Sequence, residues 1–326
     1  MIDLHLHLDG SLPPELFFKL AAMEGVGLPA GDVDGLLPYL TAPRDCKSLN
    51  EFLEKFALPV SCLQSEETLF EAARGLAKEL GREGLVYAEV RFAPQLHRQK
   101  GLTQRQAIQA VIRGLEKGRE GTSLKTGLIL CCMRGRDNRE ENLETAAQAA
   151  ALLGAGVCGL DLAGAEALYP TRDFEELFCK ARKENIPFTI HAGEADGPDS
   201  IRAALSFGAR RIGHGVRVTE DKALLEEVIR KQVTLEMCVT SNLQTKAVRE
   251  GREHPALWLL RQGAAVTINT DDMTVCKTTI SEELKWLRSM GMTREEERKL
   301  WENALKGAFL PEEEKEALGR EVRLRL

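Results

Sequence analysis

The stretch Thr189-Ile190-His191-Ala192-Gly193-Glu194 decides how the rest of the chain is read. Residues 186–190 form a short apolar run with β-branched members, which reads as a buried strand. His191 stands at the C-terminal end of that strand, Gly193 permits a turn, and Glu194 follows the histidine by three residues. In parallel α/β proteins chemistry collects at the C-terminal ends of strands. Taken alone, the pair reads as a histidine ending a strand beside a solvated glutamate. What the other strand ends carry therefore decides the matter.

Working outward, residues 2–8 alternate so that His5 and His7 share one side of a first strand. Residues 12–84 follow as a long, mostly helical connection with breaks at Pro29, Pro38 and Pro43. Within it Leu49, Phe52, Leu53 and Phe56 fall at i, i+3, i+4 and i+7, the apolar stripe of a helix opening near Ser48. Further strands are expected over 86–92, 125–132, 157–162, 210–213, 233–238 and 264–269. Helices are expected between them over 103–118, 139–153, 173–184, 200–207, 221–230 and 256–262, with a charged helical segment from 281 onward. Eight strands alternating with helices predict an α/β protein of the (β/α)8 barrel type, a TIM barrel with extra helices after the first strand and at the C-terminus. One domain is expected over residues 1–326.

Composition narrows the function classes. A net charge of −6, with no basic cluster, argues against nucleic-acid or anionic-membrane partners. The start of the chain lacks the basic and apolar regions of a signal peptide, and the most apolar window, 146–168, is interrupted by Gln148, Gly154, Gly156 and Asp161. A cytoplasmic protein with no obligatory protein partner is expected. Eight cysteines without a C-x-x-C pair fit free buried thiols better than disulfides or a thiolate metal site.

Four of the six histidines fall at expected strand ends: His5, His7, His191 and His214. Asp271 and Asp272 close the eighth strand. Histidines with unrelated structural duties would not gather at one rim. An H-x-H pair on a strand turns both imidazoles to the barrel interior, and a third imidazole with one carboxylate completes a nitrogen-rich site open to water. His97 and His254 are read as lying on the surface or behind the site.

The motifs in this order resemble those of the adenosine deaminase family of metal-dependent barrel hydrolases. The resemblance spans nearly the whole chain. It is carried by H-L-H-L-D-G-S-L (5–12), E-V-R-F-A-P (89–94), C-C-M-R (131–134), D-L-A-G (161–164), H-A-G-E (191–194), R-I-G-H-G (211–215), T-S-N-L-Q-T (240–245) and N-T-D-D (269–272). The resemblance implies one Zn2+ held by His5, His7, His191 and Asp271, lowering the pKa of a bound water. It implies that His214 orients the attacking oxygen at purine C6, that Asp271 takes its proton, and that Glu194 protonates N1. It further implies that protonated Asp272 bonds N7, the Gly164 N–H faces N3 and Asp9 reaches the ribose 5′-hydroxyl. Leu49, Phe52, Leu53 and Phe56 would form an apolar lid, with Met133 lining the pocket. The implied substrate is a purine nucleoside, adenosine or 2′-deoxyadenosine, released as inosine or 2′-deoxyinosine plus ammonia.

Three positions depart from the common family pattern: Ala165 before Glu166, Val239 before T-S-N, and Lys246 after Q-T. None is a ligand or proton donor, although Ala165 and Lys246 bear on substrate preference. A binuclear hydrolase would need a bridging lysine on strand four, and residues 157–164 contain none. The H-x-E and P-C-x-x-C motifs of cytidine deaminases are also missing. Deamination of adenine or of N6-substituted AMP by the same mechanism, and an inactive purine-binding protein, remain the alternatives.

Overall fold

A computed structural model describes residues 1–43, 45–249 and 251–325 of the chain. Its strands are β1 (Ile2–His7), β2 (Tyr87–Phe92), β3 (Lys125–Met133), β4 (Val157–Ala163), β5 (His191–Ala192), β6 (Arg211–His214), β7 (Thr234–Met237) and β8 (Ala265–Ile268). All ladders are parallel, in the orders β1-β2-β3-β4 and β5-β6-β7-β8. Single bridges join the two runs, Leu160 to Phe188 and Leu6 to Asp271, and the barrel closes as expected. At the β8–β1 seam the His7 N–H donates to the Asp271 carbonyl at 2.7 Å, and the Asp271 N–H donates to the His5 carbonyl at 2.8 Å.

Alternation along the strands separates two interiors. Leu4, Leu6, Val90, Leu128, Leu130, Leu160 and Leu162 belong to the main apolar core, which also takes in helix residues such as Ala72, Leu76, Ile108 and Val111. The intervening positions carry Glu89, Arg91, Asp161, Arg211 and Glu236, all buried. Arg91 donates to Asp161 at 2.9 Å, to Glu236 at 3.0 Å and to the Leu4 carbonyl at 2.7 Å. Arg211 pairs with Glu89, bonds Glu236 at 2.5 Å, and stacks over the Phe309 ring at 4.0 Å. Charges at this depth persist only when each is paired and hydrogen-bonded.

The structure corrects the sequence reading in four places. Strand five is shorter and later than 186–190: regular pairing is confined to His191–Ala192. Pro187 has no N–H to give a ladder, so that stretch bonds β4 through only the Pro187 carbonyl and the Thr189 N–H. Pro38 does not break the connection but lies inside the helix Val33–Leu40, which Asp32 caps and Leu36 and Leu40 anchor in the core. The lid stripe is not one helix. Ser48 caps an α-helix over Leu49–Leu53, a 3-10 turn spans Glu54–Phe56, and a second short helix covers Ala57–Ser61. Pro59 crowds the carbonyl four residues back, that of Lys55, which tightens the turn there. His97, finally, is not at the surface but fully buried, its Nδ1 2.8 Å from the Leu63 carbonyl.

All eight cysteines are free, and six are buried. No helix among the described residues is long and apolar enough to cross a membrane.

Replacing Arg211 by Met leaves Glu89 and Glu236 without their shared cation. The expected loss is about 3–5 kcal/mol of stability, read from the denaturant midpoint. A loss below about 1 kcal/mol, the scale of an exposed pair, would contradict the buried network.

Candidate active site

The C-terminal mouths of the strands open into a cavity of about 530 Å3. His7 and Asp9 enter it from β1 and its loop, and Gly164 and Ala165 from the turn after β4. His191 and Glu194 come from β5 and its loop, His214 from β6, and Asp271 and Asp272 from the turn after β8. Met133 lines one wall, and Leu49, Phe52, Leu53 and Phe56 form the apolar roof. His5 lies just beneath, fully buried. The candidate metal, proton-transfer and substrate residues named from the sequence thus meet at one place.

One ligand atom from each of His5, His7, His191 and Asp271 falls within a sphere of mutual distances no greater than 4.8 Å. His7 Nε2 is 3.2 Å from His191 Nε2, Asp271 Oδ1 is 3.1 Å from His5 Nε2, and it is 3.5 Å from His7 Nε2. Ligands about 2.1 Å from one tetrahedral ion sit roughly 3.4 Å apart, so these spacings fit a shared cation. His5 Nε2 is buried without a hydrogen-bond partner despite its neighbours. The outer ring nitrogens are already engaged. His5 Nδ1 is 2.7 Å from Glu236, and His191 Nδ1 is 2.9 Å from Asp161. Each carboxylate fixes the tautomer that leaves Nε2 with a lone pair facing the cavity. Burial also holds the His7 imidazole well below its usual range, in the neutral form that binds metals.

A second set, His214, Cys238 and Asp271, also brings possible ligands together. Burial, with Asp271 and Asp3 nearby, pushes the Cys238 thiol well up. A thiol held protonated is a poor metal ligand.

His214 is oriented from behind. The Ala256 N–H donates to His254 Nδ1 at 3.2 Å, and His254 Nε2 donates to Asn242 Oδ1 at 3.1 Å. Asn242 Nδ2 then donates to His214 Nδ1 at 3.0 Å. This chain leaves the proton of neutral His214 on Nε2, which lies 3.5 Å from Glu194 and 3.9 Å from Asp271. Burial keeps that imidazole well below the ordinary histidine range. His254 therefore stands behind the site, one of the two positions expected for it. Asn242 lies in the T-S-N-L-Q-T motif, but nothing in the sequence shows that residues 242 and 254 converge on 214.

The acids divide into two protonation classes. Burial raises the Glu194 carboxyl well above its usual range, reinforced by the charges of Asp271 and Glu166. Asp272 is raised well above its range by burial, then by Asp271 and Asp9, and its Oδ1 has no partner. Burial also raises Asp9, to about 6. Burial opposes ionisation of Asp271 as well, but the surrounding imidazoles, His214 and His5 foremost, hold it well below the usual range. The site thus holds one carboxyl kept ionised, that of Asp271, beside three that burial makes harder to ionise, those of Glu194, Asp272 and Asp9.

Two of these residues carry backbone strain. His214 and Asp271 adopt φ of 60° and 61°, left-handed values costing about 1–3 kcal/mol at a non-glycine residue. Gly10 is required for space: a Cβ there would lie 1.8 Å from Asp272 Oδ1. Lys246 has φ of 63°, which is why glycine suits that position.

The Adenosine deaminase family model matches residues 1–324. The chain is 47% identical over 323 residues to a protein named adenosine deaminase from Haemophilus ducreyi, covering 98% of this chain and 94% of that one. Among solved structures it is similar to adenine deaminase from Arthrobacter aurescens, with a TM-score of 0.89, 28% identity and coverage of 99% and 97% of the two chains. It is also similar to the apo N6-methyl-AMP deaminase of Arabidopsis thaliana, with a TM-score of 0.83, 26% identity and coverage of 97% and 94%.

Removing one converging imidazole should empty the candidate metal centre. Protein prepared with zinc is expected to carry about one ion per chain, and folded His5→Ala much less. Elemental analysis beside circular dichroism checks this; a folded variant with full metal content would contradict the ligand set.

Proposed function

This chain belongs to the adenosine deaminase family, and from that premise we propose that it hydrolyses adenosine and 2′-deoxyadenosine to inosine and 2′-deoxyinosine with release of ammonia. The observation that carries the reading is the meeting of Glu194, His214, Asp271 and Asp272 with the His5–His7–His191 cluster at one cavity. Residues 1–326 act as a single catalytic domain, in the cytoplasm, on a small-molecule substrate, with no nucleic-acid, membrane or obligatory protein partner.

His5, His7, His191 and Asp271 would hold one Zn2+, which supplies a water acidified to near neutral pKa. Nitrogen-rich sets of this kind suit zinc among the common divalent ions. His214 donates its Nε2–H toward the attacking oxygen and holds it in line with purine C6. Asp271, kept ionised, accepts the proton that the water gives up. Glu194, kept protonated, gives its proton to N1 as the C6–O bond forms, so the ring does not accumulate negative charge. Asp272 donates to the N7 lone pair, which fits its raised pKa and its unpartnered Oδ1. The Gly164 N–H faces N3. The proton taken up by Asp271 then passes to the amino group, the C6–N bond breaks and ammonia leaves, while the new C6 hydroxyl becomes a carbonyl and its proton returns to Glu194. Leu49, Phe52, Leu53 and Phe56 cover the purine and exclude bulk water.

The cavity rim favours a nucleoside over a nucleotide. Arg134 is the one Lys or Arg lining the cavity among the described residues. Its guanidinium is already bonded to the carbonyls of Tyr169 and His191 and to the Thr171 hydroxyl. A substrate phosphate would meet the Asp9 carboxyl, whereas a ribose 5′-hydroxyl can donate to it.

Glu194→Gln keeps the shape of the side chain and removes the proton donor. Its turnover of adenosine, followed by ultraviolet absorbance and ammonia release, is expected to fall by about 10²–10⁴-fold with metal content unchanged. Near-normal turnover would rule out Glu194 as the N1 donor.

A further inference from the structure

Glu166 stands in the turn after β4, and its carboxylate is almost wholly buried. Oε1 accepts from the Gly193 N–H at 2.6 Å and from Ser200 Oγ at 2.5 Å. Oε2 accepts from the N–H groups of Glu194, Ala195 and Asp196 at 3.0, 2.7 and 2.9 Å. Four consecutive backbone N–H groups turned toward one point make a concave anion nest. Here the anion is a side chain from another strand's loop, and the residue it wraps in that nest is Glu194.

The opposite side of the same segment is also held. Arg134 donates to the His191 carbonyl at 2.6 Å and to Thr171 Oγ1 at 2.9 Å. Thr171 Oγ1 and Ser200 Oγ are 2.6 Å apart. Since Ser200 gives its only hydroxyl proton to Glu166, Thr171 must donate to Ser200. Arg134, Thr171 and Ser200 thus donate in one directed chain that ends on the Glu166 carboxylate, around residues 191–196. β5 has only two ladder residues, so this clasp supplies the rigidity that a longer strand would have given. Gly193 completes the turn, with φ of 72° and no room for a Cβ, which would lie 2.5 Å from Ile201 Cδ1.

We propose that Glu166 is the positioning residue for the Glu194 proton donor, fixing where its carboxyl meets the substrate ring. The inference rests on the proposed deaminase reading for its kinetic consequence but not for its structural one. In Glu166→Gln an amide NH2 replaces one acceptor oxygen and faces N–H groups, so at least one contact of the nest is lost. A donor displaced by about 1 Å costs on the order of 10²-fold in rate while ground-state binding in the cavity is retained.

The test compares metal-loaded wild type, Glu166→Gln and Ser200→Ala in two assays: amide hydrogen exchange over residues 193–196 and steady-state kinetics with adenosine. Ser200→Ala removes one of the five donors and guards against a Glu166→Gln variant that fails to fold. The expected result is faster exchange confined to that segment, with kcat reduced about 10²-fold in Glu166→Gln and less in Ser200→Ala, and KM within about threefold of wild type. Unchanged exchange would overturn the proposal whether or not adenosine is the substrate. Faster exchange with unchanged kcat in an active enzyme would also overturn it. An inactive wild type with locally faster exchange in the variants would instead uphold the clasp and refute the adenosine reading.

Discussion

The structure depends on two buried carboxylates that each serve an arginine and a histidine at once. Glu236 holds Arg91, Arg211 and His5, while Asp161 holds Arg91 and His191. Burial opposes ionisation of both, yet the facing cations keep Glu236 and Asp161 below the usual carboxylate range. The barrel floor and the metal-type cluster are consequently one electrostatic unit. An arginine cannot be removed without loosening a histidine of that cluster, nor that histidine without exposing a buried charge.

Closure of the barrel works in the same direction. The seam between β8 and β1 is made by backbone bonds of His5, His7 and Asp271 themselves. The first and last strands of the barrel are thus joined at residues of the candidate site. Left-handed φ values at His214 and Asp271 are a local cost that the surrounding ladders and ion network offset. Both residues are turned by that backbone toward a point that neither strand would reach if it simply ran on.

Much of this was legible in the chain. Strand alternation placed His5 and His7 on the inner side, and the strand-end positions of His191, His214, Asp271 and Asp272 follow from the barrel topology. What escaped the sequence shares one physical character: each feature depends on a long-range partner or on a missing donor. Glu166 has the composition of a solvated acid until residues 193–196 fold over it. His254 gains its purpose only through Asn242. The fifth strand was misplaced because its β-branched residues signal a strand, whereas Pro187 removes an N–H that pairing requires. The lid reads as one helix by spacing, and Pro59 divides it.

In the proposed site an ion sits among imidazoles rather than against the Cys238 sulfur nearby. X-ray absorption at the zinc edge of the metal-loaded protein tests it most directly. The expected spectrum has only nitrogen and oxygen neighbours at about 2.0–2.1 Å, with imidazole outer-shell scattering. A sulfur neighbour at about 2.3 Å would place the ion with His214, Cys238 and Asp271 and contradict the proposed site.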